Sequence, residues 1–311
     1  MIKISEIKLP LDSDEKELRT AAAKALRCKE ERITSLRIAK KAVDSRKKDN
    51  VFFVYNVYAE VDSDEAAIIA HSRNSKVEAY TEYKYVMPPV RRKSTLRPVI
   101  AGFGPAGFFA ALTLARAGLR PIVIERGADV DTRTQKVNVF WTQRKLDTES
   151  NVQFGEGGAG TFSDGKLTTG IKDPLCRKVV DELIAHGAPE EIGYSSRPHI
   201  GTDRLGAVVK AFREEIIALG GEVRFNCRLT DIIIANGVVQ GVTCVHDGSA
   251  EDIETDTLLL CIGHSARDTV KMLYDKGADI IQKPFSVGVR IEHPRELIDK
   301  AQYGSFAGHP A

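Results

Sequence analysis

Between a short apolar strand pattern, Val99–Ala101, and a helical pattern from Pro105 to Ala117, the chain carries Gly102-Phe-Gly104-Pro-Ala-Gly107. Few six-residue stretches restrict a fold more. In a strand-to-helix turn the first glycine allows the tight bend, the second lets a diphosphate reach the backbone, and the third lets helix pack on strand. The first N–H groups of the helix have no partner within it, and with the helix dipole they receive negative charge. The motif therefore predicts a doubly wound α/β sheet with its ligand at the carboxyl edge. A second strand, Pro121–Glu125, ends in a carboxylate 23 residues after Gly102. An acidic residue about 20 residues on is expected to accept hydrogen bonds from a ribose, and it repels a 2′-phosphate, which disfavours NADP.

The run Pro98–Ala115 has 18 residues without a charge, long enough to be weighed as a membrane span. Its two prolines and three glycines argue against a span, and the turn explains the run better. Gly118 supplies the C-terminal stop of the helix.

Charge divides the chain near this point. Residues 1–97 hold 21 basic and 15 acidic side chains, and the remainder 24 and 28. The shift coincides with Met87-Pro-Pro-Val-Arg-Arg-Lys-Ser94, a linker-like stretch. We place a small α+β domain of ferredoxin-like type at 1–93. It has strands at Ile2–Leu9, Ile33–Lys40, Val51–Val61 and Val77–Val86, a helix capped by Ser13, and a second helix at Asp64–Ser75. Its basic cluster around Arg37, Lys40, Lys41, Arg46, Lys47 and Lys48 reads as a solvated hairpin, since no base-stacking motif accompanies it.

From 94 to 282, strands and helices alternate, the signature of a parallel sheet. Helices are expected at Val130–Leu146, 174–186, 203–219 (capped by Thr202 or Asp203) and 266–276. Strands are expected at 222–226, 229–235 and 238–246, the last two joined through Asn236-Gly237 into a hairpin, and the domain is expected to hold an inserted β-meander. Thr257–Ile262 reads as a buried strand and 284–292 as another, opening a partial cap domain at 283–311.

Two features favour FAD over NAD. Glu125-Arg-Gly127 is followed by Arg133, a basic residue at the start of the next helix, and the strand Leu258–Ile262 ends in Gly263 at the same sheet edge. The segment Asn151-Val-Gln-Phe-Gly-Glu-Gly-Gly-Ala-Gly-Thr-Phe-Ser-Asp-Gly-Lys166 resembles the hallmark of a bacterial family of uncharacterised FAD-dependent dehydrogenases. That family lies within the glutathione-reductase-like, two-dinucleotide-binding flavoproteins. Gly263-His-Ser-Ala-Arg-Asp268, Lys283-Pro-Phe-Ser-Val-Gly-Val-Arg-Ile-Glu-His-Pro294 and Lys41-Ala-Val-Asp-Ser-Arg46 are similar to the same family, so the likeness spans essentially the whole chain.

The resemblance implies a Rossmann-like FAD-binding fold and a cytoplasmic oxidoreductase passing a hydride through flavin N5, with NAD(P)H as an electron donor. It implies that Gly102, Gly104, Pro105, Ala106 and Gly107 surround the FAD diphosphate, and that Glu125 and Arg126 hold the adenosine ribose with Arg133 near the phosphates. It places Gly155, Gly157, Gly158, Ala159, Gly160, Thr161, Asp164, Gly165 and Lys166 beside the ribityl chain and flavin ring, with Gly263 at the adjoining strand end. A flat ring system needs backbone at van der Waals distance, which glycine permits. Family members are longer, and we expect this chain to be truncated inside its cap domain, lacking part of the flavin site.

Five widely spaced cysteines offer no Cys-x-x-Cys, which fits a reducing compartment and predicts neither a metal site nor a disulfide-reductase mechanism. Cys261 reads as a buried inert thiol, His264 as a helix-cap residue, and Arg290 and His293 as neighbours of Glu292 or Glu296. Residues 1–11 lack the apolar core of a signal peptide. The competing readings are an NAD-dependent dehydrogenase, an inactive fragment, and a nucleic-acid binder acting through the basic N-terminal region. Substrate and oligomeric state are not legible.

Overall fold

The computed structural model describes residues 1–310 except Arg92 and Asp164. The first unit runs β1 (Ile2–Leu9), α1 (Glu15–Leu26), β2 (Ile33–Asp44), β3 (Phe52–Val61), α2 (Glu65–Ser72) and β4 (Val77–Ala79). Its four strands form an antiparallel sheet in the order β2-β3-β1-β4. Alternation along β3 buries Phe53, Tyr55, Val57 and Ala59 against Leu18, Ala22 and Leu26 of α1 and Ile68 of α2. The cap of α1 is Asp14, one residue beyond the expected Ser13, and its carboxylate accepts from Glu17 N at 2.8 Å. β4 is shorter than the expected Val77–Val86 because its partner β1 starts at Ile2, opposite Ala79.

The second unit continues with β5 (Val99–Ala101), α3 (Pro105–Arg116), β6 (Ile122–Ile124), α4 (Val130–Gln143), α5 (Leu175–Ala185) and α6 (Thr202–Ala218). Next come β7 (Glu222–Arg224), β8 (Cys227–Ala235), β9 (Val238–His246), β10 (Ser249–Glu254), β11 (Leu258–Leu260) and α7 (Arg267–Asp275). A parallel sheet has the order β11-β5-β6-β7, and the meander is antiparallel, β10-β9-β8. Period-two alternation divides the parallel strands between two cores. Ile100 and Val123 meet α3 and α6 through Phe108, Leu112, Phe212 and Ile216. On the opposite face Val99, Ala101, Ile122 and Ile124 meet Cys227, Leu229, Val242 and Cys244 of the meander. The uncharged run at 98–115 is thus spent on a core strand and a 12-residue helix, and no helix among the described residues is long and apolar enough to cross a membrane.

Three expectations are corrected. β11 is an edge strand with Leu260 43% exposed, because β5 is its only neighbour among the described strands. Residues 284–292 form no strand: no described strand lies beside them to take their N–H and C=O groups, and Val289 is 95% exposed. The chain then forms α8 (Arg295–Tyr303), whose Tyr303 packs with Phe306 on the core of the first unit. Finally, α6 begins after Gly201, which has no side chain to cap it, and neither Thr202 nor Asp203 takes that place.

Phe212 is fully buried, stacks on His186 at 3.8 Å and touches Phe108 at 4.7 Å. Phe212→Ala should therefore cost about 3–5 kcal/mol. Phe285→Ala, at a residue 84% exposed, should stay within about 0.5 kcal/mol. Urea denaturation of the two variants checks the contrast.

Candidate functional site

At the carboxyl edge of the parallel sheet lies a cavity of about 480 Å³. Its wall includes Gly102, Gly104, Pro105, Ala106, Glu125, Arg126, Gly155, Gly158, Ala159, Gly160 and Gly263. The volume is within the ~300–1,000 Å³ usual for small-molecule sites. The N-terminus of α3 opens into it. Gly104 is the cap residue and makes no side-chain cap bond, while Pro105 at the first helical position has no N–H to offer. The next amides, Ala106 and Gly107, have no intrahelical acceptor and are free to receive an anion.

The three motif glycines are needed for different reasons. Gly102 has φ +99°, and a Cβ there would lie 2.4 Å from the Cys261 carbonyl oxygen. A Cβ on Gly107 would meet the Gly102 carbonyl oxygen at 1.9 Å, so this glycine serves packing behind the wall. Gly104 differs. Its φ is ordinary, and a Cβ would meet nothing nearer than Gly158 Cα at 3.6 Å.

Glu125 binds the surrounding loops together. It is 5% exposed, Oε2 accepts from Phe103 N at 2.8 Å, and Oε1 accepts from Gly127 N and Gly155 N, both at 2.9 Å. Three buried N–H groups thus hold its carboxylate at the cavity wall. Arg126 is likewise engaged. Its guanidinium lies over the Phe154 ring at 4.3 Å and pairs with Glu149 at 3.0 Å and Asp268 at 2.9 Å. Arg228 reaches the same two carboxylates, at 3.3 and 3.7 Å, making a balanced four-charge cluster at the cavity rim.

Arg133 is not beside the phosphate-binding turn but fully buried behind the glycine loop. It donates to the carbonyl oxygens of Asn151, Val152, Gly155 and Glu156 and lies under the Phe162 ring. Burial pushes its pKa down to about 10, leaving it charged at neutral pH. The loop is held from the front as well: Gly157 N donates to Phe103 O at 2.8 Å, and Glu156 N to Ala128 O at 3.1 Å. The Glu156 carboxylate, wholly buried, accepts from Val130 N at 2.7 Å at the start of α4 and faces Arg213 at 3.4 Å. Its Oε1 has no hydrogen-bond partner, and burial raises its pKa above the ordinary carboxylate value against the pull of Val130 N–H and Arg213.

Gly157 and Thr161 contact each other within the loop, where a Cβ on Gly157 would strike Thr161 Oγ1. Gly165 and Lys166 lie along residues 198–200, with Ile200 N donating to Gly165 O and Lys166 bridging to His199. None of these four lines the cavity, and Asp164 is outside the described residues. His264 and Cys261 do line it, but the residue capping α7 is Ala266, so His264 has no capping role. Cys261 is half-buried, and burial raises its thiol pKa. Arg290 lies 3.9 Å from Glu292 with both exposed, a pairing of little consequence. The sequence reading missed Glu149, Glu156, Arg228 and Asp268. Only Glu156 carried a local signal, as a lone acid inside a glycine run.

Residues 1–60 match the model of a domain of unknown function (DUF8436), and residues 284–311 match one described as FAD-dependent protein, C-terminal domain-like. An uncharacterized protein of Clostridium beijerinckii is 48% identical over 311 residues, covering 99% of this chain and 57% of that protein. The chain thus spans little more than half of the curated relative it matches. Among solved structures, THI4 of Thermovibrio ammonificans has a TM-score of 0.38 at 16% identity, covering 58% of this chain and 62% of that one. Glycerol-3-phosphate dehydrogenase of Bacillus halodurans, complexed with FAD, has a TM-score of 0.38 at 14% identity, with 58% and 36% covered. Likeness of that degree does not establish a common fold.

Glu125→Ala should strand three buried N–H donors at about 1–3 kcal/mol each, and so lower the unfolding midpoint more than any single cap deletion. Glu156→Gln should show a pH signature. A raised folded-state pKa means the native carboxyl group holds its proton more tightly than the unfolded one, so its stabilising contribution is present at acid pH and lost as pH rises. The glutamine variant should therefore gain on the parent as pH increases from about 4.5 upward. Denaturation of both proteins across pH 4–8 checks this, and a gap independent of pH contradicts it.

Proposed function

We propose that this chain binds FAD in the glycine-walled cavity and acts as the nucleotide-binding part of an FAD-dependent oxidoreductase. One observation carries the reading. Gly104 and Gly160 both line the cavity, neither has a left-handed backbone, and a Cβ on either would meet no protein atom closer than 3.6 Å. The fold does not need them to be glycine; a ligand pressed against the main chain does. The FAD-dependent description of the model matched at 284–311 agrees with this choice.

In this reading the Ala106 and Gly107 amides and the α3 dipole bind the diphosphate, and the Gly155–Gly160 loop supplies the flat surface. Arg133 positions that loop from behind, and Glu125 on the cavity wall holds it through Gly155 N. FAD, when bound, supplies a two-electron acceptor that takes a hydride at N5 from a reduced substrate or from NAD(P)H. The chain's own part is to orient that group, keep side chains out of its way and tune it through nearby amides. The fold belongs with Rossmann-like sheets, and the first unit's β-α-β-β-α-β order is ferredoxin-like connectivity. With all five cysteines free, a reducing cytoplasmic setting is the natural one. Nucleic acid has less support: Arg37 pairs with Glu82 at 2.6 Å and Arg46 with Asp44 at 2.7 Å, so both are already neutralised.

Absorbance spectroscopy after FAD reconstitution is the test. The chain should take up FAD and show flavin bands. Gly104→Val should weaken uptake at least about tenfold while the far-UV circular dichroism stays that of the parent, since the added side chain enters the cavity. Absence of uptake, or preferential binding of NAD, contradicts the proposal.

A further inference from the structure

Outside the cavity, the meander gathers donor groups that lie far apart in sequence. β8 and β9 set Cys227 opposite His246, and β9 and β10 set Cys244 opposite Glu251. Directly opposed residues share a face, and so do residues two apart on one strand. All four side chains therefore occupy one patch on the core-facing side of the meander. One ligand atom each from Cys227, His246 and Glu251 lie within 4.8 Å of one another. His246 Nδ1 is 3.3 Å and Cys244 Sγ 3.6 Å from Glu251 Oε1.

The geometry points to a binding site for a divalent cation of the zinc type, held by Cys227, His246 and Glu251, with the Cys244 thiol beside them against Glu251. Tetrahedral zinc with bonds of about 2.0–2.3 Å separates its ligands by about 3.3 to 3.8 Å, a range that holds the 3.3 Å between His246 Nδ1 and Glu251 Oε1. Mixed sulfur, nitrogen and oxygen donors select a borderline-soft metal over magnesium or calcium. The outer groups fit as well. Asp247 Oδ2 lies 3.7 Å from His246 Nε2, on the side away from Glu251, where metal-binding histidines usually have a carboxylate. Arg224, 3.1 Å from Glu251, is a cation beside a cation site, but its charge is offset by Glu222 at 2.6 Å, while one thiolate and one carboxylate balance a divalent ion.

The two cysteines are buried and His246 and Glu251 are half-exposed, so an ion would enter from the surface side. The site is structural in kind, with three of its positions filled by protein. It ties the three meander strands together, and because Cys227 also lines the cavity it would stiffen that wall. Sequence spacing hides it: Cys227, Cys244, His246 and Glu251 match no common zinc pattern until strand register brings them together. The inference is independent of the nucleotide reading.

The test uses the whole chain purified under reductant, with its thiols counted, and titrated with Zn²⁺ and with Co²⁺ alone. Expected are one Zn²⁺ per chain by elemental analysis, and Co²⁺ spectra with thiolate charge-transfer and intense tetrahedral d–d bands. His246→Ala, at a half-exposed position, should weaken Zn²⁺ at least about tenfold while leaving the metal-free unfolding midpoint near that of the parent. Cys227→Ser should abolish the charge-transfer bands. No Co²⁺ bands in the folded, reduced parent would overturn the site. So would bands indifferent to both substitutions, or a Cys227–Cys244 disulfide that persists under reductant.

Discussion

The site rests on a single carboxylate surrounded by main chain. Glu125 ends β6 and receives N–H groups from the turn after β5, from its own loop, and from the glycine loop 30 residues later. Three chain segments are thereby fixed relative to one another. From behind, Arg133 does the same for carbonyl oxygens. One buried anion collects donors and one buried cation collects acceptors, so a surface nearly free of side chains keeps a definite shape. Hydrogen bonds to charged groups are the stronger kind, and breaking either set leaves buried polar groups unpaired.

This arrangement explains why several residues matter without meeting a ligand. A glycine-rich loop alone would be mobile, because glycine loses more conformational freedom on ordering than any other residue. The ordering is done by Glu125 at the wall and by groups at the back: Arg133, Glu156 and the packing of Gly107 and Gly127. A Cβ on Gly127 would come within 2.6 Å of Gly155, so even this flank is backbone against backbone. The face toward the cavity is then free to be shaped for what enters it. The meander supports the wall from the other side through Cys227 and Leu229, which belong both to a core and to the cavity lining.

Much of this was legible in the sequence. The 102–107 spacing with its flanking strand and helix located the cavity, and hydrophobic periodicity recovered most strands and helices of both units, though not β10. Local pattern failed where a partner decides the outcome. Residues 284–292 alternate like a strand, yet no described strand takes their hydrogen bonds. Glu125 has the offset of a ribose acceptor, but which groups claim its oxygens depends on how Gly155 folds back. Arg133 looked like a phosphate ligand because charge and position suggested it, whereas its burial depends on carbonyls 18 to 23 residues away. The Cys227–His246 pairing comes from strand register, which no single-strand pattern encodes.

The central claim is that main-chain amides of the turn and the loop, not side chains, receive a diphosphate. ¹⁵N-glycine-labelled protein titrated with ADP tests it most directly by NMR. The account predicts that amides of Gly104, Gly107 and Gly158 shift together and saturably, while those of Gly237 and Gly248 at the far turns of the meander stay in place. Shifts confined to glycines outside the cavity, or none at saturating ADP, would contradict it.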